Sequence, residues 1–325
     1  MSTSTTETWA PNGNVGRSWT KLTSATRPLS ECSATVYTGS SPHGQGHETA
    51  WAMLVQDELG IPMDQVTVLH GDTDLIPNAV GTFASRSLQL GGSAVQKAAI
   101  EVKDEARHQA AEMLEAAEAD VVLDTTTGLW QVRGDPDTAL SWGQVAGHSG
   151  GGLVADVSFI QDRPTYPFGA HVSVVEFDTE TGQVKMLRHV TVDDAGTVLN
   201  PVLTEGQRHG GIAQGAAQAL LEEVLYDADG NPQTSTLADY ATISAPDLPS
   251  FELVDSQTPT PLNPLGAKGI GEAGTIGSTP AIQNAVIDAV AHLGVRHIDM
   301  PTTPQRVWTA ISEAQQDRAQ KGSDE

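Results

Sequence analysis

One ionisable acid, Glu272, stands in the middle of a glycine run, Gly266-Ala-Lys-Gly-Ile-Gly-Glu-Ala-Gly-Thr-Ile-Gly277, at the entrance to a helical pattern. A carboxylate on a loop that lets large groups approach the backbone is what a general base requires. The same run contains Gly269-x-Gly271-x-x-Gly274, the spacing of a dinucleotide fingerprint. That fingerprint needs an apolar strand before it and a helix N-terminus holding pyrophosphate after it. The preceding residues include Pro259, Pro261 and Pro264, which cannot form a central strand, and Glu272 would repel a diphosphate. A nucleotide-dependent dehydrogenase is therefore a poor reading, and the loop reads as the seat of a base.

Three further loops share the design, each beside a helical pattern: Gly44-Gln-Gly-His47, Thr82-Phe-Ala-Ser-Arg86 and Asp194-Ala-Gly-Thr197. A glycine before a helix is usually only a tight connection. If these loops converge with Lys268 to Glu272, they offer N–H donors and helix ends to an anion, with Gln45, Ser85 and Arg86 as side-chain donors. Such a set suits a large phosphorylated cofactor. Other residues have plainer readings. Asp72 and Asp74 make an Asx-type turn after a strand, and His43 and His47 lack the spacing of a zinc site. No metal ligands are assigned. Lys268 is either a cofactor contact or a solvated charge, Cys32 is a small apolar residue at a strand edge, and the acids between 101 and 120 form a solvated helix face.

The elements that must hold these loops recur as strand, glycine loop, helix. Ala34 to Thr38 alternates as a strand, and Trp51, Leu54, Val55 and Leu59 share a helix face stopped by Gly60 and Pro62. Val66 to Leu69 is a second strand. Ala94, Ala98, Val102 and Ala106 define a helix running to about Ala117, followed by a weak hairpin at 121–123 and 130–132. The glycine-rich stretch 147–152 reads as a joint. Beyond it, 171–177 and 184–192 form a hairpin around Thr181-Gly182. A helix then carries Ile212, Ala216, Ala219, Leu220 and Val224. A last helix, opened by Thr279-Pro280, carries Ile282, Ala285, Val286, Ala289, Val290 and Leu293 and stops at Gly294. The fold class is α+β, built from two α/β subdomains at 31–150 and 151–325, the second bearing the Glu272 loop, with residues 1–30 as an arm.

Forty-one acidic against 17 basic residues give a formal charge of −24, which disfavours nucleic acid as a partner. A single cysteine excludes an internal disulfide and a cysteine-ligated cluster built from this chain alone. No membrane span or signal peptide is read, so the expected location is cytoplasmic.

Seven motifs carry a resemblance: Gly39-Ser-Ser-Pro-His-Gly-Gln-Gly-His-Glu-Thr49, Leu59-Gly-Ile-Pro62, His70-Gly-Asp-Thr-Asp74, Gly81-Thr-Phe-Ala-Ser-Arg-Ser87, Asp193-Asp-Ala-Gly196, Glu205-Gly-Gln-Arg-His-Gly-Gly211 and Gly266 to Gly277. In this order, over about residues 30–312, they resemble the C-terminal half of the molybdenum-binding large subunit of the xanthine dehydrogenase, aldehyde oxidase and carbon monoxide dehydrogenase family. The two subdomains would then form its second molybdopterin-binding domain. The resemblance implies molybdopterin cytosine dinucleotide with molybdenum as cofactor. It implies contacts from Gln45, Gly46 and His47; from Phe83, Ala84, Ser85 and Arg86; from Ala195, Gly196, Thr197 and Asn200; from Gln207; and from Lys268, Gly269, Ile270 and Gly271. Glu272 matches the base that activates a water-derived hydroxyl on the metal for attack on an electron-poor C–H carbon. The family's N-terminal half has no counterpart in this sequence, so a partner chain would supply it, with [2Fe–2S] and FAD on further subunits. Glu272-Ala-Gly274 departs from the Glu-Ser-Pro of copper-containing carbon monoxide dehydrogenases and the Glu-Pro-Pro of animal xanthine oxidoreductases. An N-heteroaromatic or an aldehyde is therefore the expected small-molecule substrate. The alternatives are a carbon monoxide dehydrogenase-type subunit and a non-catalytic assembly subunit of the same fold.

Overall fold

The computed structural model describes residues 16–26, 32–77, 79–150 and 152–323 and divides into two units. The first comprises residues 1–166 and 259–268, the second 167–258 and 269–325. Helices and sheets are segregated within each, and the class is α+β.

In the first unit a four-stranded sheet has the order β3-β2-β1-β7, formed by β1 (Gly16–Thr26), β2 (Cys32–Thr38), β3 (Val66–Leu69) and β7 (Val154–Gln161). Only the β2–β3 pair is parallel, and the crossover between them is α1 (His47–Leu59). Trp51, Val55 and Leu59 of α1 are buried with Leu22 and Val36 of the sheet. The long α2 (Ser93–Met113) buries Ala94, Ala98, Val102 and Ala106, and its small side chains let the helix lie close on β1 and β7. A satellite sheet of β4 (Val121–Asp124), β5 (Leu129–Val132) and β6 (Asp135–Ser141) leads into the short α3 (Trp142–His148).

In the second unit β8 (Phe168–Phe177) and β9 (Val184–Asp194) form the expected hairpin, and β10 (Phe251–Ser256) adds parallel to β9. The helices α4 (Pro201–Leu220) and α5 (Ala273–Val290) pack on one another, and α5 lies against β8. A cluster of Val286, Val290, Val295, Ile298, Val307 and Ile311 joins α5 to α6 (Pro304–Ser323).

Several expectations are corrected. Residues 16–26 of the expected arm form β1, central in its sheet; residues 1–15 and 27–31 lie outside the described residues. The strand escapes hydropathy because its inward positions are Ser18, Thr20 and Ser24 beside one aliphatic, Leu22. The joint is not at 147–152: β7 returns to pair with β1, and the units part at 166/167, with 259–268 going back to the first. The helix α5 begins at Ala273, so Pro280 lies inside it rather than at its start, because backbone contacts with α4 hold the upstream turns. The helix α2 stops at Met113, before a left-handed Glu115, and α4 stops before Val224, which is exposed.

Candidate functional site

In the first unit, the turn at Gly44 and Gly46 adopts positive φ (93° and 76°), and Gly46 is the N-cap of α1. Glycine has no side chain to cap the first-turn amides, and a Cβ at Gly44 would meet nothing within 4 Å, so the turn faces open space. Gln45 accepts the His43 amide through Oε1. His47 is buried, burial lowers its imidazole below the ordinary range, and its Nδ1 has no hydrogen-bond partner. An orphaned polar atom of this kind calls for a partner. The preceding loop is tied to the next one, since the amides of Val80 and Gly81 both donate to the Gly39 carbonyl.

That next loop is strained. Ala84 and Ser85 sit at φ 53° and 51°, a region costly for residues with a Cβ, and a π-helical turn follows at 87–92. Strain and π-turns concentrate at functional positions. Phe83 is exposed and carries the Arg86 guanidinium 4.1 Å above its ring. Buried Gln89 fixes the loop from below: its Nε2 donates to the Ser85 carbonyl, and its Oε1 accepts Thr165 Oγ1 at 2.6 Å. Thr165 lines a cavity of about 570 Å³ with Arg163, Tyr166, Thr260, Leu262 and Lys268. Lys268 is buried, and the turn before it is pinned by Asn263, which exchanges hydrogen bonds with the backbone of Ala267. The structure thus links Ser85 through Gln89 and Thr165 to the cavity of Lys268. Gln89, Arg163 and Tyr166 were not singled out from sequence, since a lone Gln or Arg in a loop gives no periodic or motif signal.

In the second unit, Gly269 is buried and Ile270 and Gly271 are half-buried. Glu272 is exposed at the N-cap of α5, its carbonyl accepting the Ile276 amide at 2.9 Å. Gly274 gives α4 its close approach: a Cβ there would lie 2.8 Å from the Arg208 carbonyl. Ala195 and Gly196 are buried and Thr197 is exposed. The Gly196 amide already donates to Asp194 Oδ1 at 2.7 Å, and Asn200 Oδ1 caps α4 through the Leu203 amide. Those groups are engaged in building the loop. Gln207 is half-buried beside Arg208, whose guanidinium is buried and bonds Asp193, Asp255 and two carbonyls of the sheet.

Around Asp193 lies a buried chain that the sequence reading missed. His171 Nε2 lies 3.1 Å from Asp193 Oδ1, His171 Nδ1 3.1 Å from His189 Nε2, and His189 Nδ1 2.6 Å from Ser173 Oγ. A carboxylate only accepts, which sets the direction: Ser173 donates to His189, His189 to His171, and His171 to Asp193. Burial would raise the Asp193 carboxyl, but hydrogen bonds from His171 and Thr191 and the Arg208 charge hold it below the usual carboxylate range. Burial and the neighbouring His171 push His189 down to about 4. The alternation of His171, Ser173, His189, Thr191 and Asp193 on one sheet face is the signal that reveals this set in retrospect.

Asp72 Oδ1 accepts the Asp74 amide, the expected Asx turn. Among the described residues no cluster of three His, Cys, Asp or Glu could hold a metal, and no helix is long and apolar enough to cross a membrane. The first unit offers uncapped amides, two cations, an aromatic and an unpartnered imidazole, a donor set that fits an anionic, heterocyclic cofactor.

Residues 23–249 match the family model described as a molybdopterin cofactor-binding domain; Glu272 lies past the end of that range. The carbon monoxide dehydrogenase large chain of Hydrogenophaga pseudoflava is 39% identical over 289 residues, covering 86% of this chain and 36% of its own. The 6-hydroxypseudooxynicotine dehydrogenase complex subunit gamma of Paenarthrobacter nicotinovorans is 40% identical over 286 residues, covering 85% and 36%. Quinoline 2-oxidoreductase from Pseudomonas putida 86 superposes with a TM-score of 0.80 at 34% identity, covering 91% and 38%. This chain therefore spans a little over a third of the length of these relatives. It belongs to the molybdopterin cofactor-binding family, with the molybdenum-binding large subunits of the xanthine dehydrogenase type.

Proposed function

We propose that this chain is the molybdenum-cofactor-binding portion of a hydroxylase that oxidises a C–H carbon of an N-heteroaromatic or aldehyde substrate with water-derived oxygen. The observation that carries this reading is the carboxylate of Glu272, exposed at a helix start behind a glycine loop, in a chain of this family. The cofactor in the reading is molybdopterin cytosine dinucleotide. The residues proposed to contact it are Gln45, Gly46 and His47, Phe83 to Arg86, Ala195 to Thr197, Asn200, Gln207 and Lys268 to Gly271. When bound, the group supplies a two-electron oxidant and an oxygen drawn from water. Glu272 would act as the base, accepting a proton through a carboxylate oxygen. His47, neutral through burial, can accept or donate at Nδ1, and Arg86 and Lys268 answer phosphate charge. The reading includes a partner chain that supplies the N-terminal half of a large subunit. It also includes [2Fe–2S] and FAD subunits to remove electrons, in a cytoplasmic complex.

Carbon monoxide is the second substrate reading. The identity with the Hydrogenophaga chain favours it, and Glu272-Ala-Gly274 weighs against it.

The test is Glu272→Gln in the complex isolated with its partner chains. Molybdenum and pterin content should match the parent, while turnover of the heteroaromatic or aldehyde substrate falls by roughly 10²–10⁴. Near-normal turnover would overturn the role of Glu272. A parent complex without molybdenum would favour a non-catalytic assembly subunit.

A further inference from the structure

The first turns of α5 are held by backbone-to-side-chain contacts with almost no slack. A Cβ at Gly277 would lie 2.3 Å from both Nε2 and Cδ2 of His171, so the imidazole rests directly on the helix backbone. On the α4 side, a Cβ at Gly274 would lie 2.8 Å from both the Arg208 carbonyl and the Ile212 amide, and the Thr275 hydroxyl donates to the Gly211 carbonyl at 3.0 Å. Glu272 immediately precedes these turns. The imidazole itself cannot swing away, because His189 and Asp193 bond its two nitrogens and Asp193 is in turn bonded by Thr191 and Arg208.

We infer that His171 is a positioning residue for Glu272: the ring, braced through Asp193 and His189, is the seat that sets how far the start of α5 stands from the sheet. The inference rests on Glu272 acting as the base. Nothing else in the packing of this helix needs a polar ring opposite Gly277, where an aliphatic side chain would fill the same volume without a chain of buried hydrogen bonds. Small displacements of a catalytic group are expensive, about 10²-fold in rate for an ångström, so a rigid seat has a use at this place that it lacks elsewhere.

The test is a double-variant cycle in the complex as isolated. Gly277→Ala inserts a methyl into the ring's space and pushes α5 outward; His171→Ala removes the ring; the double variant returns room for the methyl. With Gly277→Ala, kcat should fall about 10- to 100-fold, with KM within about twofold and molybdenum content unchanged. Adding His171→Ala to it should bring kcat back to within about fivefold of the parent. His171→Gln, thinner but able to donate to Asp193, should lose less than His171→Ala. Thermal midpoints of all four members report the contact independently of turnover. Coupling in the midpoints with kcat unmoved by Gly277→Ala would show a seat that does not position the base, and would overturn the inference. So would loss of molybdenum in proportion to kcat, which marks general misfolding. An active Glu272→Gln variant would remove the base itself, a failure of the functional reading visible without any variant at 171 or 277.

Discussion

His189 donates through Nε2 and accepts the Ser173 hydroxyl through Nδ1, so a second ring proton would break its bond from Ser173 and place a charge in the interior. Its folded value, about 4, lies below the ordinary 6.5. The unfolded chain therefore binds the proton first, and the contribution of this ring to stability is intact above pH 6.5 and erodes as pH falls from 6.5 to about 4, by roughly 3 kcal/mol in total. Asp193, held below its usual range, acts in the same direction at lower pH, its contribution being lost as pH drops through its folded value. Denaturant midpoints measured from pH 7.5 to 4.5 should decline, and His189→Gln should flatten the decline; an unchanged profile in that variant would assign the acid sensitivity elsewhere. Asp193 and Arg208 are each about 2% exposed at the side chain. Asp193→Asn should cost about 3 kcal/mol by removing the buried carboxylate and leaving the buried guanidinium with the exposed Asp255 as counter-charge, and Arg208→Met added to it should recover much of the loss, as urea titration would report.

At the scale of elements, α4 and α5 meet through small residues. A Cβ at Gly215 would come within 2.0 Å of Ser278 Oγ, whereas one at Gly206, on the same helix, would meet nothing within 4 Å. Gly215→Ala should therefore destabilise by about 1–3 kcal/mol through overpacking, and Gly206→Ala should stabilise by roughly 0.5–1 kcal/mol through helix propensity alone. Equal effects on the thermal midpoint would sink the packing argument. The contrast also explains what was legible beforehand. Trp51, Leu54, Val55 and Leu59 spell α1, and the apolar alternation with Thr181-Gly182 spells the β8–β9 hairpin. The strand β1 hides because serine and threonine face its interior, and the start of α5 hides because contacts to α4, not local propensity, extend it past Pro280. At the candidate site, Glu272 and the glycine loops were legible as motifs. The brace of Gln89 on Ser85, and the ring of His171 under Gly277, pair residues 4 and 106 positions apart in sequence only through the fold.

The whole molecule carries a formal charge of −24, and self-repulsion of that size destabilises the compact state. Raising NaCl from about 20 to about 300 mM should lift the thermal midpoint by roughly 1–2 °C, as expected for about 1 kcal/mol in a chain of this length. A midpoint that falls with salt would mean that favourable ion pairs outweigh the repulsion. The two units also interleave along the chain, with residues 259–268 returning to the first after 167–258 have gone to the second. That return has a consequence for the order of synthesis. The wall of the cavity formed by Thr260, Leu262 and Lys268 leaves the ribosome only after the hairpin, α4 and β10 of the other unit have emerged. The first unit therefore cannot finish folding before the second is largely made. A nascent chain halted anywhere between residues 162 and 258 would already hold β1 to β7 yet lack Lys268, and a release at that stage would yield an intact-looking sheet whose cavity is missing that wall.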